Sequence, residues 1–258
     1  MNDMASHTVL ITGAGRRIGR VIALDLAAAG ATVVVHYNRS KKNAESAVAE
    51  IKAGGGKAAA VQADLMDEKA AAKLVARATD AVGPLDCLVN NASVFEEDNP
   101  RTATRETWDT HMQVNVRAPF LLTQAFAAQL PKGTEGHVIN LIDQRVWNVT
   151  PYFTSYTVSK VALWGLTQNL ALALAPSIRV NAIGPGPTLP SVHQTEEQFR
   201  RQWSKLPLQR RVDPEEICRA VRFLLDAPSV TGQMIVLDGG QHLGWAQSEY
   251  GNRFPPDE

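Results

Sequence analysis

The sequence predicts an α/β domain: a doubly wound parallel β-sheet with helices on both faces. Three observations predict it. Short β-branched runs alternate with helix-length stretches from the first residues onward. The connections between these runs are long enough to carry a helix, which parallel neighbours need and hairpins do not. The first run passes directly into a glycine-rich turn that opens a helix. Crossovers between parallel strands are right-handed in nearly all cases, which leaves the doubly wound sheet as the economical topology.

Each element has its own reason. Thr8 to Ile11 is a β-branched run, and Ile18 to Ala29 repeats apolar residues at helical spacing until Gly30 stops it. Thr32 to Val35 is the second strand, and Lys41 to Ala53 a helix closed by Gly54, Gly55 and Gly56. Ala58 to Val61 is the third strand, Glu68 to Val82 a helix stopped by Gly83 and Pro84, and Leu85 to Val89 the fourth strand. One long helix is expected from Arg105 to Leu130, ended by Pro131 and Gly133. His137 to Ile142 is the fifth strand, Ser155 to Ala175 an alanine- and leucine-rich helix before Pro176, and Ile178 to Ala182 the sixth strand. A final helix, Pro214 to Leu225, leads to the last strand, Met234 to Leu237. Gly184 to Arg211 reads as irregular, rich in proline and polar residues. It follows the sixth strand, where strand ends form a crevice, so residues 188 to 211 are either a lid over that crevice or a plain surface loop.

Length and composition narrow the function classes. The 258 residues fit one large domain, no linker interrupts them, and the apolar fraction of 45% fills a sizeable core. Lysine plus arginine equals aspartate plus glutamate, 26 against 26, so no net field draws the chain to nucleic acid or an anionic membrane. No apolar run reaches the length of a bilayer span, and Met1 to His7 lacks a signal-peptide pattern. Cys87 and Cys218 have neither CxxC spacing nor a histidine cluster beside them, so neither a disulfide framework nor a metal site is expected. The chain reads as cytoplasmic.

The first turn, Thr12-Gly13-Ala14-Gly15-Arg16-Arg17-Ile18-Gly19, is placed to bind a pyrophosphate. Its glycines permit close backbone approach, and the helix start offers free N–H groups. An ordinary tight turn is the plainer reading. At the end of the second strand, His36-Tyr37-Asn38-Arg39-Ser40-Lys41-Lys42 carries no acid before Glu45. A carboxylate there would bind a ribose 2′-hydroxyl and repel a 2′-phosphate, whereas Arg39 and Ser40 would bind the phosphate. The segment therefore favours NADPH, the alternative being a solvated basic helix start. Tyr156 and Lys160 stand four apart, on one face of a helix. The ammonium is expected to favour the phenolate and draw the tyrosine pKa toward the working range.

The glycine turn resembles the TGxxxGxG signature of the short-chain dehydrogenase/reductase family, with Arg17 where that family has glycine. The resemblance covers nearly the whole chain and implies a Rossmann fold. It implies that Asp64 and Leu65 lie by the adenine, that Asn91 and Ala92 belong to an NNA segment lining the cofactor, and that Pro185 and Gly186 pass the nicotinamide. It further implies catalytic roles for Asn115, Tyr156 and Lys160, with Lys160 also on the nicotinamide ribose. The family's catalytic serine, thirteen residues before the tyrosine, is Asp143 here. A carboxylate cannot donate to a ketone oxygen unless protonated, which argues against simple alcohol–ketone chemistry.

The chain is similar to the pteridine reductases, and to dihydromonapterin reductases, at Arg17, at His36 to Ser40, at Ser93, at Phe95 and at Asp143. That likeness implies a small-molecule pterin partner, with its flat ring between Phe95 and the nicotinamide and its polar edge on Arg17 and Ser93. Asp143 and Tyr156 would supply the proton. Phe95 and Asp143 have blander readings, as core and as a strand-end cap, and Trp203 either lines the pocket or packs the lid. Other readings are reduction of a different carbonyl or imine, and a non-catalytic NADP sensor, which would be expected to lack Tyr156 or Lys160. The family resemblance implies a homotetramer. The apolar faces of Val161 to Leu174 and Val236 to Leu243 suit such contacts, although burial within one subunit explains them equally.

Overall fold

The computed structural model describes residues 4–191 and 194–244. Seven parallel strands lie in the order β3-β2-β1-β4-β5-β6-β7. They are β1 (Thr8–Ile11), β2 (Thr32–Tyr37), β3 (Lys57–Gln62), β4 (Cys87–Asn90), β5 (Gly136–Leu141), β6 (Ile178–Pro185) and β7 (Met234–Leu237). The order reverses between β1 and β4, which opens a crevice at their carboxyl ends. Side chains alternate across the sheet and build a core on each face. Val9, Ile11, Val33, Val35 and Val89 pack against helices α1 (Arg17–Ala28), α2 (Lys41–Ala53) and α8 (Pro214–Asp226). Leu10, Val34, Leu88, Val138 and Val180 pack against α3 (Glu68–Val82), α5 (Ala118–Gln129) and α6 (Thr154–Leu174).

The long helix expected from Arg105 to Leu130 is divided. It runs as α4 (Arg105–Met112), a π-helical turn at Gln113–Arg117, and α5. Pro119 has no N–H to donate to the carbonyl of Asn115 four residues back, so the regular ladder cannot pass this point. The widened turn buries Asn115.

The stretch read as irregular holds a helix, α7 (Glu196–Trp203). A capping box starts it: the Thr195 hydroxyl accepts from Gln198 N, and Gln198 reaches back to Thr195 N. Residues 188–191 and 194–211 of the expected lid are described, and 192–193 lie outside the described residues. Of the described residues, no helix is long and apolar enough to cross a membrane.

The ends of β6 and β7 close tightly at Gly186, whose N–H donates to Leu237 O at 2.8 Å. A Cβ there would stand 2.6 Å from Asp238 Cα, a backbone atom that cannot step aside. Gly186→Ala is therefore expected to destabilise the domain by roughly 1–3 kcal/mol, read as a lowered urea midpoint. An unchanged midpoint would mean that the two strand ends are free to separate.

Candidate active site

At the cofactor end, hydrogen bonds between strand ends hold the glycine turn. Thr12 Oγ1 accepts from Asn91 N at 3.0 Å and Ala92 N at 2.9 Å, and Asn91 Nδ2 donates to Thr12 O at 2.8 Å. Gly19 cannot carry a side chain, because a Cβ would meet Asn91 Nδ2 at 2.4 Å and Gly13 O at 2.7 Å. His36 braces the same turn from beneath. Its Nδ1 accepts from Gly13 N at 3.0 Å, so Nε2 carries the proton and donates to Ala63 O at 3.1 Å. Burial holds the ring neutral, its pKa lowered to about 4. His36 was expected among the cofactor's contacts. Its ring is instead buried and both nitrogens are used within the protein, so its work is to fix Gly13.

The helix starts fit an anionic dinucleotide. Neither α1 nor α2 has a side-chain cap or an acidic residue in its first turn, so their leading N–H groups are open to an anion. Arg16 and Arg39 are exposed beside these starts, with Ser40 at the start of α2 and Ile18 in the first turn of α1. Asp64 takes Asn38 Nδ2 at 3.1 Å and Met66 N at 3.0 Å, which orients the loop after β3 that also holds the buried Leu65. Arg17 departs from the expectation that it faces phosphates. Its guanidinium donates to Pro190 O at 2.9 Å and Leu189 O at 3.4 Å, tying the glycine turn to the first residues of the expected lid. Its backbone has φ 55°, the left-handed region that glycine occupies without strain.

The second cluster forms where β4, β5, α4 and α6 converge. Asn115 links three of these elements. Its Oδ1 accepts from Val94 N at 2.9 Å and Ser93 Oγ at 3.2 Å, while Nδ2 donates to Val94 O at 3.1 Å and Ser159 Oγ at 3.0 Å. Tyr156 donates its phenol hydrogen to Asp143 Oδ2 at 3.0 Å, and the other carboxylate oxygen accepts from Arg145 N at 2.8 Å. Asp143 thus caps the short turn Gln144–Val146, as the blander reading had it, and also faces the tyrosine. Lys160 donates to Leu141 O at 2.9 Å.

The electrostatics correct one expectation. Burial, reinforced by the Asp143 carboxylate, pushes the Tyr156 phenol well above the ordinary tyrosine pKa, and the nearby Arg145 charge only partly opposes this. Burial draws Lys160 down to about 8. The phenol is therefore held as a hydrogen-bond donor, where spacing with Lys160 alone pointed toward a phenolate.

Phe95 is half-buried at the edge of this cluster. It stacks on Phe153, centroids 4.3 Å apart and planes at 14°, and meets Tyr156 edge-on at 4.7 Å. Several participants were not singled out from sequence: Thr12, Phe153, Arg145, and the buried set Asp98, His111 and Ser155. Asp98 accepts from Ser155 N at 3.1 Å and from Ser155 Oγ, anchoring the start of α6. Glu96 N donates to His111 Nε2 at 3.1 Å, so Nδ1 carries the hydrogen toward Ser155 Oγ at 2.7 Å. Of these, only Arg145 carries a signal in the sequence, its place two residues after Asp143; the others come together through tertiary folding. Trp203 lines an open pocket with Phe199, Arg200 and Arg210, residues of α7 and of the stretch that follows it.

Comparison with known proteins follows the same outline. A family model described as enoyl-(acyl carrier protein) reductase matches residues 13–242. The 3-oxoacyl-(acyl-carrier-protein) reductase of Synechocystis sp. is 34% identical over 251 residues, 93% of this chain and 98% of the relative. The crystal structure of alternative dihydrofolate reductase 1 from Brucella canis, complexed with NADP, superposes with a TM-score of 0.92 at 48% identity, covering 100% of this chain and 99% of that one. Its counterpart from Brucella suis, also with NADP, gives 0.92 at 50% identity over 95% and 99%.

His36 and His137 generate a pH dependence of stability. Burial lowers both from an ordinary 6.5 to about 4, and the Arg179 cation also disfavours charge on His137. Between those values the unfolded chain binds protons that the fold refuses. The stabilisation is complete above about 6.5 and is lost as pH falls, each ring contributing about 1.4 kcal/mol per pH unit within the window. Urea midpoints measured from about pH 7 down to about pH 4.5 should fall steadily. A flat profile would contradict neutral burial of the two rings.

Proposed function

The chain belongs to the short-chain dehydrogenase/reductase family, and we propose that it reduces a dihydropterin, of the dihydrobiopterin, dihydromonapterin or dihydrofolate type, with NADPH. When bound, NADPH supplies the hydride. The observation that carries the reading is the pairing of the Tyr156 phenol with the Asp143 carboxylate beside the Phe95 ring. A carboxylate that already accepts from the phenol is a poor partner for a ketone oxygen and a good one for an N–H group. The 48–50% identity to the Brucella dihydrofolate reductases supports the same substrate class.

The residues divide the work by position. Gly13, Arg16, Ile18 and Gly19 receive the pyrophosphate, and Arg39 and Ser40 the 2′-phosphate, with Asn38 and Asp64 beside the adenine end. Asn91, Ala92, Pro185, Gly186 and Lys160 line the nicotinamide half. Phe95, backed by Phe153, offers a flat apolar face to a planar ring. Ser93 and Arg17 serve the ring's polar edge, Arg17 by leaving the lid carbonyls. Tyr156 releases the proton, and Asn115 holds the loop of Ser93 and Val94 in place.

A second reading, reduction of a 3-oxoacyl thioester, is favoured by the activity of the Synechocystis relative. We also place the enzyme in the cytoplasm, where the buried free thiols Cys87 and Cys218 are stable, and read it as a homotetramer. Exposed Trp108, Val158 and Val161, and a groove lined by Met66, Met112, Val116 and Phe120, support an assembly through α4, α5 and α6. Sedimentation at four times the chain mass would bear this out, and a monomer would refute it.

NADPH oxidation, followed by its absorbance, tests the reading with dihydrobiopterin, dihydromonapterin, dihydrofolate and a 3-oxoacyl thioester side by side. Turnover confined to the pterins is expected, and turnover confined to the thioester would replace it with the second reading. On the pterin turned over, Asp143→Ser should lower kcat about a hundredfold. Phe95→Ala should raise KM about tenfold through lost stacking. No change in either variant would leave the carboxylate idle and the ring unstacked.

A further inference from the structure

Arg145 has no assigned part in the reaction, yet its guanidinium sits in the middle of the aromatic cluster. It lies 5.5 Å from the Tyr156 ring centroid, 5.2 Å from Phe153 and 5.9 Å from Phe95. Its Nε is buried without a hydrogen-bond partner, and its only side-chain hydrogen bond among the described residues is a long one, 3.4 Å, to Tyr152 O. No ion pair holds it among the described residues. A cation left in this state gains little from its own contacts beyond the faces of the rings.

The reaction gives it a reason to be there. When the Tyr156 O–H bond breaks and the proton passes to the substrate, a phenolate is left hydrogen-bonding distance from the Asp143 carboxylate. Two negative charges then face each other at a separation of 3.0 Å. The charged and titratable groups around the phenol are few. Asp143 and Arg145 follow β5, Lys160 is on α6, and neutral His111 of α4 stands with its ring 6.0 Å away beside Asp98. Lys160, 5.6 Å from the ring centroid, is one cation against two anions. Arg145 makes it two against two.

We propose that Arg145 is the charge-balancing residue of this site: its guanidinium offsets the carboxylate that Asp143 sets against the Tyr156 phenol, so that the phenol can give up its proton. The inference rests on Tyr156 being the proton donor of the proposed reaction. Arg145 acts through the phenol, and is in that sense a positioning residue. The electrostatic influence of Arg145 on the phenol is already visible in the direction in which it pulls the tyrosine's acidity, against burial and Asp143.

Fluorine NMR of the whole protein carrying 3-fluorotyrosine tests this without any substrate. The chain has four tyrosines, and loss of one resonance in Tyr156→Phe identifies the signal. The Asp143→Ser background removes the opposing carboxylate and brings the phenol's titration to lower pH. Adding Arg145→Gln to it should move that titration up by about one pH unit or more, while adding Arg145→Lys should leave it close to the single variant. A titration unmoved by Arg145→Gln, or moved equally by Arg145→Lys, would overturn the proposal. In turnover, Arg145→Gln alone should lower kcat about tenfold or more with KM nearly unchanged, and a change confined to KM would reassign Arg145 to substrate binding. Because the titration needs no substrate, a failed pterin assay with a shifted phenol would discard the substrate class and keep the role of Arg145.

Discussion

The buried carboxylate of Asp98 sets where α6 begins, and most of the site follows from that. A helix normally takes its first cap from its own preceding residue. Here the residue in that place is Phe153, which has no capping group and lies at φ 57°. Asp98, from the loop after β4, accepts instead from the backbone and hydroxyl of Ser155, and its carbonyl takes Phe153 N at 2.8 Å. Tyr156 and Lys160 occupy the next turns, so their positions are fixed by a residue more than fifty places away. The same anchor puts Phe153 beneath Phe95. His111, held neutral by burial, passes the hydrogen-bond chain on to Glu96 and so to the Phe95 loop. A buried carboxylate is costly unless its oxygens are satisfied, and here hydrogen bonds from α6 satisfy them.

This explains why some of the architecture was legible in the sequence and some was not. Parallel strands carry the periodicity of their own burial, so β1 to β7 could be read from runs such as Thr8 to Ile11, and α3 even to its ends. The glycine turn and the Tyr156–Lys160 pair are local spacings and were equally visible. The π-turn at Asn115 was missed because helical periodicity continues through it, although Pro119 was a signal of the break. Helix α7 was missed although its capping box is written in Thr195 to Gln198. The Asp98–Ser155–His111 chain and the cluster around Arg145 carry no local signature, since their members are brought together only by the packing of α4 on α6. The pKa of Tyr156 fell outside reach for the same reason: burial decides it, and spacing says nothing of burial.

Backbone strain gathers around the crevice. Among the described residues, the non-glycine positions with positive φ are Arg17, Phe153 and Gln209. Arg17 stands in the glycine turn, Phe153 stacks on Phe95, and Gln209 lies in the stretch after α7. Each such residue costs of order 1–3 kcal/mol unless its surroundings enforce it. At Arg17 the exchange is explicit. The signature glycine would relax the backbone, but only a long side chain there can reach the carbonyls of Leu189 and Pro190. The strain is the cost of linking the glycine turn to the stretch after β6 through one residue.

The replacement of a hydroxyl by a carboxylate at Asp143 changes what the fold can recognise. A serine both donates and accepts, so with a tyrosine it can grip a single carbonyl oxygen from two sides. Asp143 only accepts, and its outer oxygen already takes the phenol hydrogen. A substrate entering between them must offer a donor to the carboxylate and an acceptor to the phenol, side by side on one edge. On the proposed reading, a dihydropterin offers ring N–H and amino donors beside an sp2 ring nitrogen, whereas an isolated ketone offers an acceptor alone. A site that hydrogen-bonds both members of such an edge rejects a molecule lacking one of them, because a buried carboxylate or phenol would be left unpaired. On the proposed reading, discrimination comes less from the shape of the pocket than from the sign of one side chain, and Lys160 and Arg145, which flank the Tyr156 ring, make that sign tolerable beside it.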